Sequence, residues 1–327
     1  MKKLNLAVVG ATGMVGGLFV GILEERNFPA TDIKFYASSR SAGRKILFKG
    51  EEHTIRVLDD SIFGEDLDMA LFAAGGDISA IYAPKLAEKG VICVDNSSKF
   101  RMDEDVPLVV PEVNARDVQN HKGIIANPNC STIQSVVALA PLHVAFGVKR
   151  VVYTTYQAVS GAGQGGVDDL QRTMEGEPNE KFPHPIFNNA IPQIDVFLEN
   201  GYTGEEMKMI RETRKILGVE DLPVTATCVR IPIFNVHSVS INVELANKFD
   251  LDEVVQVLKN APGVVLMNDT ANGAYPMPIT ADGKDEVYIG RVRRDESVAN
   301  GLNIWVVADN VRKGAATNAV QIAELLI

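Results

Sequence analysis

One cysteine stands where a nucleophile would. In Asn127-Pro128-Asn129-Cys130-Ser131-Thr132, a short apolar strand predicted at Ile124 to Ala126 gives way to a helix predicted from Thr132 to Leu142. A cysteine at a helix N-terminus faces free N–H groups and the positive end of the helix dipole, which favour the nucleophilic thiolate. The same N–H groups could hold an oxyanion. The plainer alternative is a small apolar side chain at a cap. Cys93 and Cys228 lie inside apolar, strand-like runs and read as structural.

A second cluster is Gly10-Ala11-Thr12-Gly13-Met14-Val15-Gly16. It lies between a strand predicted at Leu4 to Val9 and apolar positions at helical spacing, Met14, Val15, Leu18, Phe19, Ile22 and Leu23. Glycine there adopts backbone angles that other residues avoid, and a phosphate can approach the helix N-terminus closely. The spacing is G-x-x-G-x-x-G rather than the dinucleotide form G-x-G-x-x-G, so a plain tight turn stands as the alternative. At the end of the second strand, where NAD-preferring folds carry an acid, the chain reads Phe35-Tyr36-Ala37-Ser38-Ser39-Arg40-Ser41 with no carboxylate. Hydroxyls with Arg40 suit a 2′-phosphate and hence NADP; a solvated serine-rich loop is the alternative reading. No tyrosine is followed four residues later by lysine, which removes the Tyr-x-x-x-Lys class of short-chain dehydrogenases and epimerases. No HExxH, nucleophile elbow, P-loop or metal-ligand cluster occurs, so zinc hydrolase, serine hydrolase and kinase chemistry have no support and no metal is expected.

The elements that must position these residues change character along the chain. Strands at Leu4 to Val9, Ile33 to Ala37, Met69 to Ala74 and Val91 to Val94 alternate with helical patterns, including Ile78 to Lys89 closed by Gly90. This is the rhythm of βαβ units and a doubly wound parallel sheet up to about residue 130. Beyond it, Val148 to Val159, Val224 to Ile231, Val236 to Leu245, Val287 to Val292 and Leu302 to Ala308 read as long strands with few helices between. Val239, Ile241 and Val243 alternate with polar residues, as when a helix layer covers one sheet face, so the second region is predicted to be α+β. The last stretch, Ala315 to Ile327, is predicted to be an amphipathic helix that could return to the first domain.

With 327 residues the chain accommodates about two domains. At 46% hydrophobic and 23% charged it is ordinary globular protein, which excludes disorder, collagen and coiled coil. The net charge of −10 argues against a nucleic-acid partner, because phosphate binding needs clustered Lys and Arg. No segment reaches the ~18 apolar residues of a membrane span, so no membrane partner is expected. The N-terminal Met1-Lys2-Lys3 and the apolar run after it imitate a signal peptide, but the interrupting glycines read better as strand, turn and helix. Three scattered cysteines make no disulfide framework and suit a reducing cytoplasm.

Taken in order, these motifs resemble one family. Gly10-Ala11-Thr12-Gly13, Asn127 to Thr132, Tyr156-Gln157-Ala158-Val159-Ser160-Gly161-Ala162-Gly163, Arg230-Ile231-Pro232 with His237, and Asp309-Asn310-Val311-Arg312-Lys313-Gly314-Ala315-Ala316 are similar to aspartate-semialdehyde dehydrogenases. The resemblance implies the glyceraldehyde-3-phosphate dehydrogenase-like architecture. In it, residues 1–130 with 311–327 form an NADP-binding Rossmann domain, and 131–310 an α+β catalytic and dimerisation domain. It also implies a homodimer and a reaction: NADPH-dependent reduction of 4-phospho-L-aspartate to L-aspartate 4-semialdehyde, with release of phosphate, toward lysine (by way of diaminopimelate), methionine and threonine.

By the same resemblance, Cys130 forms an acyl-thioester, His237 is the acid/base group titrating in the neutral range, and Gln157 orients the acyl group. Arg230 would take the substrate carboxylate and Glu205 the ammonium, with Asn129 also against the substrate. Lys208 and Arg101 would bind phosphate. Glu205 and Lys208 fall in a helix predicted to start at Thr203, with Glu206 in a capping box. Gly10, Thr12, Gly13, Met14, Val15, Arg40 and Ser41 would hold the cofactor, with Ser160, Gly161 and Asn310 near its nicotinamide. N-acetyl-glutamyl-phosphate reductase is the nearest rival; its substrate lacks a free ammonium, so a carboxylate at Glu205 would be unfavourable there. A glyceraldehyde-3-phosphate dehydrogenase would need a Ser-Cys-Thr-Thr-Asn motif and the NAD acid, and a non-catalytic NADP sensor would leave Cys130, Gln157, Arg230 and His237 unexplained.

Overall fold

The structure, a computed structural model, describes residues 4–327, which form two compact units: one to Pro128 plus Ala315–Ile327, the other Asn129–Gly314. The first is built on a wholly parallel sheet. Its strands run in the order Arg56–Val57, Ala30–Ala37, Leu4–Val9, Met69–Phe72, Ile92–Asp95 and Ile124–Ala126. The Leu4–Val9 and Met69–Phe72 runs carry almost no polar residue because both faces of these central strands are covered. This is the doubly wound Rossmann-type architecture. The Gly76–Ala87 helix ends as its sequence requires, with Gly90 at φ 87. A two-stranded hairpin, Lys45–Phe48 with Glu51–Thr54, is added to the unit, and its Phe48 meets Phe35 edge-on at 6.1 Å.

The C-terminal segment completes this unit. Its helix is Thr317–Glu324 rather than a continuous one from Ala315, because Arg312–Ala316 forms a wider π-type turn first. Ala319, Val320, Ile322 and Ala323 enter the same core as Phe19 and Leu23, and Arg26 grips Glu324 through both carboxylate oxygens. The Asn318 amide donates to Val109 O and Asn127 Oδ1. The units part at Pro128/Asn129 and Gly314/Ala315, a few residues from 130/131 and 310/311. The reason is local: Asn129 caps the helix that Cys130 begins, and the peptide N–H of Gly314 bonds Asp309 O.

The Met14–Glu25 helix starts from a turn in which only some glycines are obligatory. Gly10 has φ +88, and a methyl there would stand 2.8 Å from the Ala73 carbonyl carbon and oxygen. Gly16 packs against the Gly10 carbonyl with no room for a side chain. Gly17, by contrast, is helical and meets nothing within 4 Å. Gly10→Ala is expected to lower stability by about 2–4 kcal/mol through strain and overlap, whereas Gly17→Ala should raise it by about 0.5–1 kcal/mol by removing chain entropy. Urea unfolding of the two variants checks this, and equal effects would contradict the geometry.

The second unit has a mixed sheet in the order Val224–Arg230, Val148–Gln157, His237–Leu245, Gly301–Ala308, Val287–Asp295 and Val264–Leu266. The pairing is antiparallel through its centre and parallel at both edges. Val239, Ile241 and Val243 are wholly buried, as their alternation predicts, beneath a layer that includes the Cys130–Phe146 and Leu251–Lys259 helices. On the other face, Val152, Thr154, Tyr156, Ser240, Asn242, Asn303 and Trp305 stay half-exposed. Sequence periodicity passes over the Gln164–Met174 helix and the Val264–Leu266 edge strand, the latter too short to signal itself. Among the described residues no helix is long and apolar enough to cross a membrane, and no group of His, Cys, Asp and Glu could hold a metal ion.

Candidate active site

The Cys130–Phe146 helix begins on the cysteine itself, two residues earlier than its apolar periodicity suggests. Asn129 is the reason: its Oδ1 accepts the N–H groups of Ser131 (3.0 Å) and Thr132 (3.1 Å), which fixes Cys130 as the first helical residue. The backbone N–H of Asn129 donates to buried Glu212 (2.6 Å), and its Nδ2 to Glu205 Oε1 (2.8 Å). Asn129, expected against substrate, thus has its amide engaged in holding the turn that Cys130 begins. Behind the cysteine, a methyl on Gly314 would stand 2.9 Å from Cys130 Cβ, so glycine there sets how closely the turn after Asp309 approaches. Burial pushes the thiols of Cys93 and Cys228 far up, which keeps both inert, in line with a structural role.

Glu205, Glu206 and Lys208 lie on the Gly204–Leu217 helix, whose capping box between Thr203 and Glu206 forms as predicted. Glu205 is 5% exposed and accepts from Asn129 and from Gln157 Nε2 (3.2 Å). Gln157, at the end of its strand, also donates to Ser131 Oγ at 2.7 Å. Lys208 reaches Glu205 Oε2 (3.4 Å) but is closer to Asp195 (2.8 Å), a partner that sequence reasoning misses. It misses Glu212 as well, although this residue follows Glu205 by seven positions and so lies on the same helix face.

Arg230 ends the parallel edge strand and is 4% exposed. Its Nη1 donates to Ala158 O at 2.5 Å, and its guanidinium lies over the Phe182 ring, 5.8 Å from the centroid. Burial pulls it below its ordinary value, while the charges of Glu205 and Cys130 sustain it. The N–H of the same residue addresses His237: Ala158 N–H donates to Nδ1 at 3.1 Å. That bond assigns the neutral ring proton to Nε2, a buried atom with no hydrogen-bond partner among the described residues. Burial first, and then the Arg230 charge, drive His237 well below 6.5. The sequence expectation of a neutral-range titration therefore fails, because the ring is wholly enclosed beside a cation.

Gly161 separates these two groups. A methyl on it would stand 2.8 Å from Arg230 Nη1 and 3.0 Å from His237 Nε2. Gly161→Ala is expected to fold and to lose about 100-fold in kcat/KM, because Arg230 and His237 would be displaced together. Steady-state kinetics on the variant decide it, and an unchanged kcat/KM would show that this gap is not where substrate sits. Ser160 and Asn310, both 3% exposed, bond each other through Asn310 Nδ2 to Ser160 Oγ at 3.0 Å.

The remaining expected residues belong to the first unit. Arg101 is 8% exposed and donates to Asn127 O and Asn96 O, at 2.9 and 3.0 Å. Thr12 Oγ1 donates to Ser41 Oγ (3.3 Å), which joins the glycine turn to the serine loop, and Arg40 is exposed. Met14 and Val15 open the helix, which has no side-chain cap on Gly13 and no acidic residue in its first turn.

Known proteins bear directly on this arrangement. Residues 5–121 match the family model described as "Semialdehyde dehydrogenase, NAD binding domain", and residues 139–313 the one described as "Semialdehyde dehydrogenase, dimerisation domain". The aspartate-semialdehyde dehydrogenase of Aquifex aeolicus is 56% identical over 99% of this chain and 98% of its own, and that of Bacillus subtilis 49% identical over the same shares. The crystal structure of aspartate semialdehyde dehydrogenase II from Vibrio cholerae, complexed with ASA, superposes with a TM-score of 0.94 at 47% identity, over 100% of this chain and 98% of that one. A nicotinamide-cofactor domain, a dimerisation domain and full-length similarity at this level place the chain in the aspartate-semialdehyde dehydrogenase family.

Proposed function

We propose that the protein reduces 4-phospho-L-aspartate to L-aspartate 4-semialdehyde with NADPH and releases phosphate. The convergence of Cys130, Gln157, Glu205, Arg230 and His237 within one compact unit carries this reading. Arg230 binds the α-carboxylate and Glu205 the α-ammonium, a pairing that a substrate lacking a free ammonium could not use. Cys130 then attacks the acyl phosphate: a C–S bond forms and phosphate leaves, assisted by Lys208 and Arg101. Gln157 orients the resulting thioester. NADPH, when bound, would supply the hydride that reduces the acyl carbon. As the oxygen there becomes negative, His237 lends it the Nε2 hydrogen, and collapse frees the aldehyde and the thiolate.

The glycine turn suits the cofactor. Its helix N-terminus is uncapped by any side chain, free of carboxylates and bordered by Gly10, Thr12 and Gly13, so Met14 and Val15 would present N–H groups to a diphosphate. Arg40 and Ser41 would meet the 2′-phosphate, and Ser160, Gly161 and Asn310 the nicotinamide. The half-exposed sheet face around Tyr156 and Trp305, whose rings lie 5.5 Å apart, would close a homodimer; sedimentation at the mass of one chain would refute that. No disulfide joins the three cysteines, and a nucleophilic thiol of this kind suits a reducing cytoplasm.

The deciding assay is phosphate-dependent reduction of NADP⁺ by L-aspartate 4-semialdehyde, run beside N-acetyl-glutamate semialdehyde and NAD⁺. Turnover with the first aldehyde and NADP⁺ is expected. Silence with both aldehydes, from folded protein that still binds NADPH, would leave a cofactor sensor as the better reading.

A further inference from the structure

Val236, the residue before His237, has φ +78 and is completely buried. The other non-glycine residues described with positive φ are Asn27, Lys49, Asn188, Asp195 and Arg291, none of them β-branched and all of them exposed. For a β-branched side chain this conformation is strained, and it persists only where the surroundings over-determine it. Here the surroundings are identifiable. Val236 N–H donates to Asn310 Oδ1 at 2.8 Å, and the Val236 side chain is enclosed with Ala281 and Val307. Asn310 is held in turn by Ser160. Ser160 N–H bonds Phe234 O and Val159 N–H bonds Ile233 O, so the loop beginning at Ala158 is tied to the segment that leads into Val236.

We propose that Asn310 and left-handed Val236 form a latch that aims the His237 imidazole, which makes Asn310 a positioning residue in addition to any contact with cofactor. Relaxing Val236 to negative φ would turn the peptide entering His237 and move Nδ1 off Ala158 N–H. Nε2 would then lose its direction. The inference rests on the reading of His237 as the acid/base group.

The test is a double-mutant cycle, because glycine adopts positive φ without strain and so has no need of the latch. Asn310→Ala is expected to lower kcat about 50-fold, with the KM for NADPH moving less than about threefold. In the Val236→Gly background the same change should cost less than about fivefold. Asn310→Asp, which keeps an acceptor for Val236 N–H, should retain about tenfold more kcat than Asn310→Ala, and where Asn310→Ala does not fold, its combination with Val236→Gly should, because glycine has no need of the latch. Equal losses in both backgrounds, a loss confined to the KM for NADPH, or an aspartate variant as impaired as the alanine one would each overturn the latch. Should His237→Ala itself leave kcat intact, the acid/base assignment would fail instead.

Discussion

Cys130→Ala is expected to lose turnover by on the order of 10⁴-fold or more, while NADPH binding stays at the parent level. Without the sulfur no thioester forms, and a water molecule entering that space would hydrolyse the acyl phosphate without producing an aldehyde. The fold should survive. Asn129, Glu212 and the Ser131 and Thr132 amides hold the turn independently of the thiol, and Cys130 is half-buried, so truncation leaves little cavity. Steady-state turnover and fluorescence titration with NADPH separate the two effects. Retained turnover would remove Cys130 from the role of nucleophile, and lost NADPH binding would mean that the substitution had damaged more than the chemistry.

His237→Asn is expected to lower kcat by about 10²–10⁴-fold with little change in KM, since the Nε2 hydrogen matters most when the acyl oxygen carries charge. A pure KM effect would move His237 to a binding role. The same residue predicts a pH dependence of stability. His237 is held neutral in the folded protein, with its proton affinity well below the ordinary 6.5. In the unfolded chain it protonates as pH falls through that ordinary value. Over the interval beneath it the unfolded state therefore binds more protons, and the native protein loses roughly 1.4 kcal/mol for each pH unit of acidification from this group alone. Thermal unfolding of the parent protein should accordingly decline more steeply below pH 6.5 than that of the asparagine variant. Parallel curves would mean that the imidazole titrates normally. In activity, the parent enzyme should show no limb at the ordinary histidine value.

Much of this molecule is legible in its residue order alone. The glycine turn, the switch from alternating βαβ rhythm to long strands, and the return of the last helix all follow from local chemistry: backbone permissiveness, side-chain period and helix-end preferences. Cys130 can be singled out because its motif sits where a strand gives way to a helix, and the capping box at Thr203 because it is written in four residues. Other features are not legible, each for a physical reason. Asp195 is 13 residues from Lys208, in an irregular segment without periodicity, so nothing local marks it as the lysine's partner. The tautomer of His237 depends on the N–H of Ala158, 79 residues away and identical in sequence to any other peptide group.

By itself, the sequence determined which groups are available: a thiol at a helix start, a glycine turn without an acid after the second strand, and Arg230, Glu205 and His237 in recognisable company. These are properties of residue type and near-neighbour spacing, and they are enough to name the chemistry. Only the tertiary structure decided how the groups are used. It drove His237 neutral by burying it beside Arg230, engaged Asn129 in holding the turn at Cys130, and put Gly161 and Gly314 where a single methyl would collide. It also forced Val236 into a strained conformation under Asn310. Desolvation, hydrogen bonding to remote peptide groups and steric closeness are set by packing across the sheet, which no pattern of adjacent residues encodes.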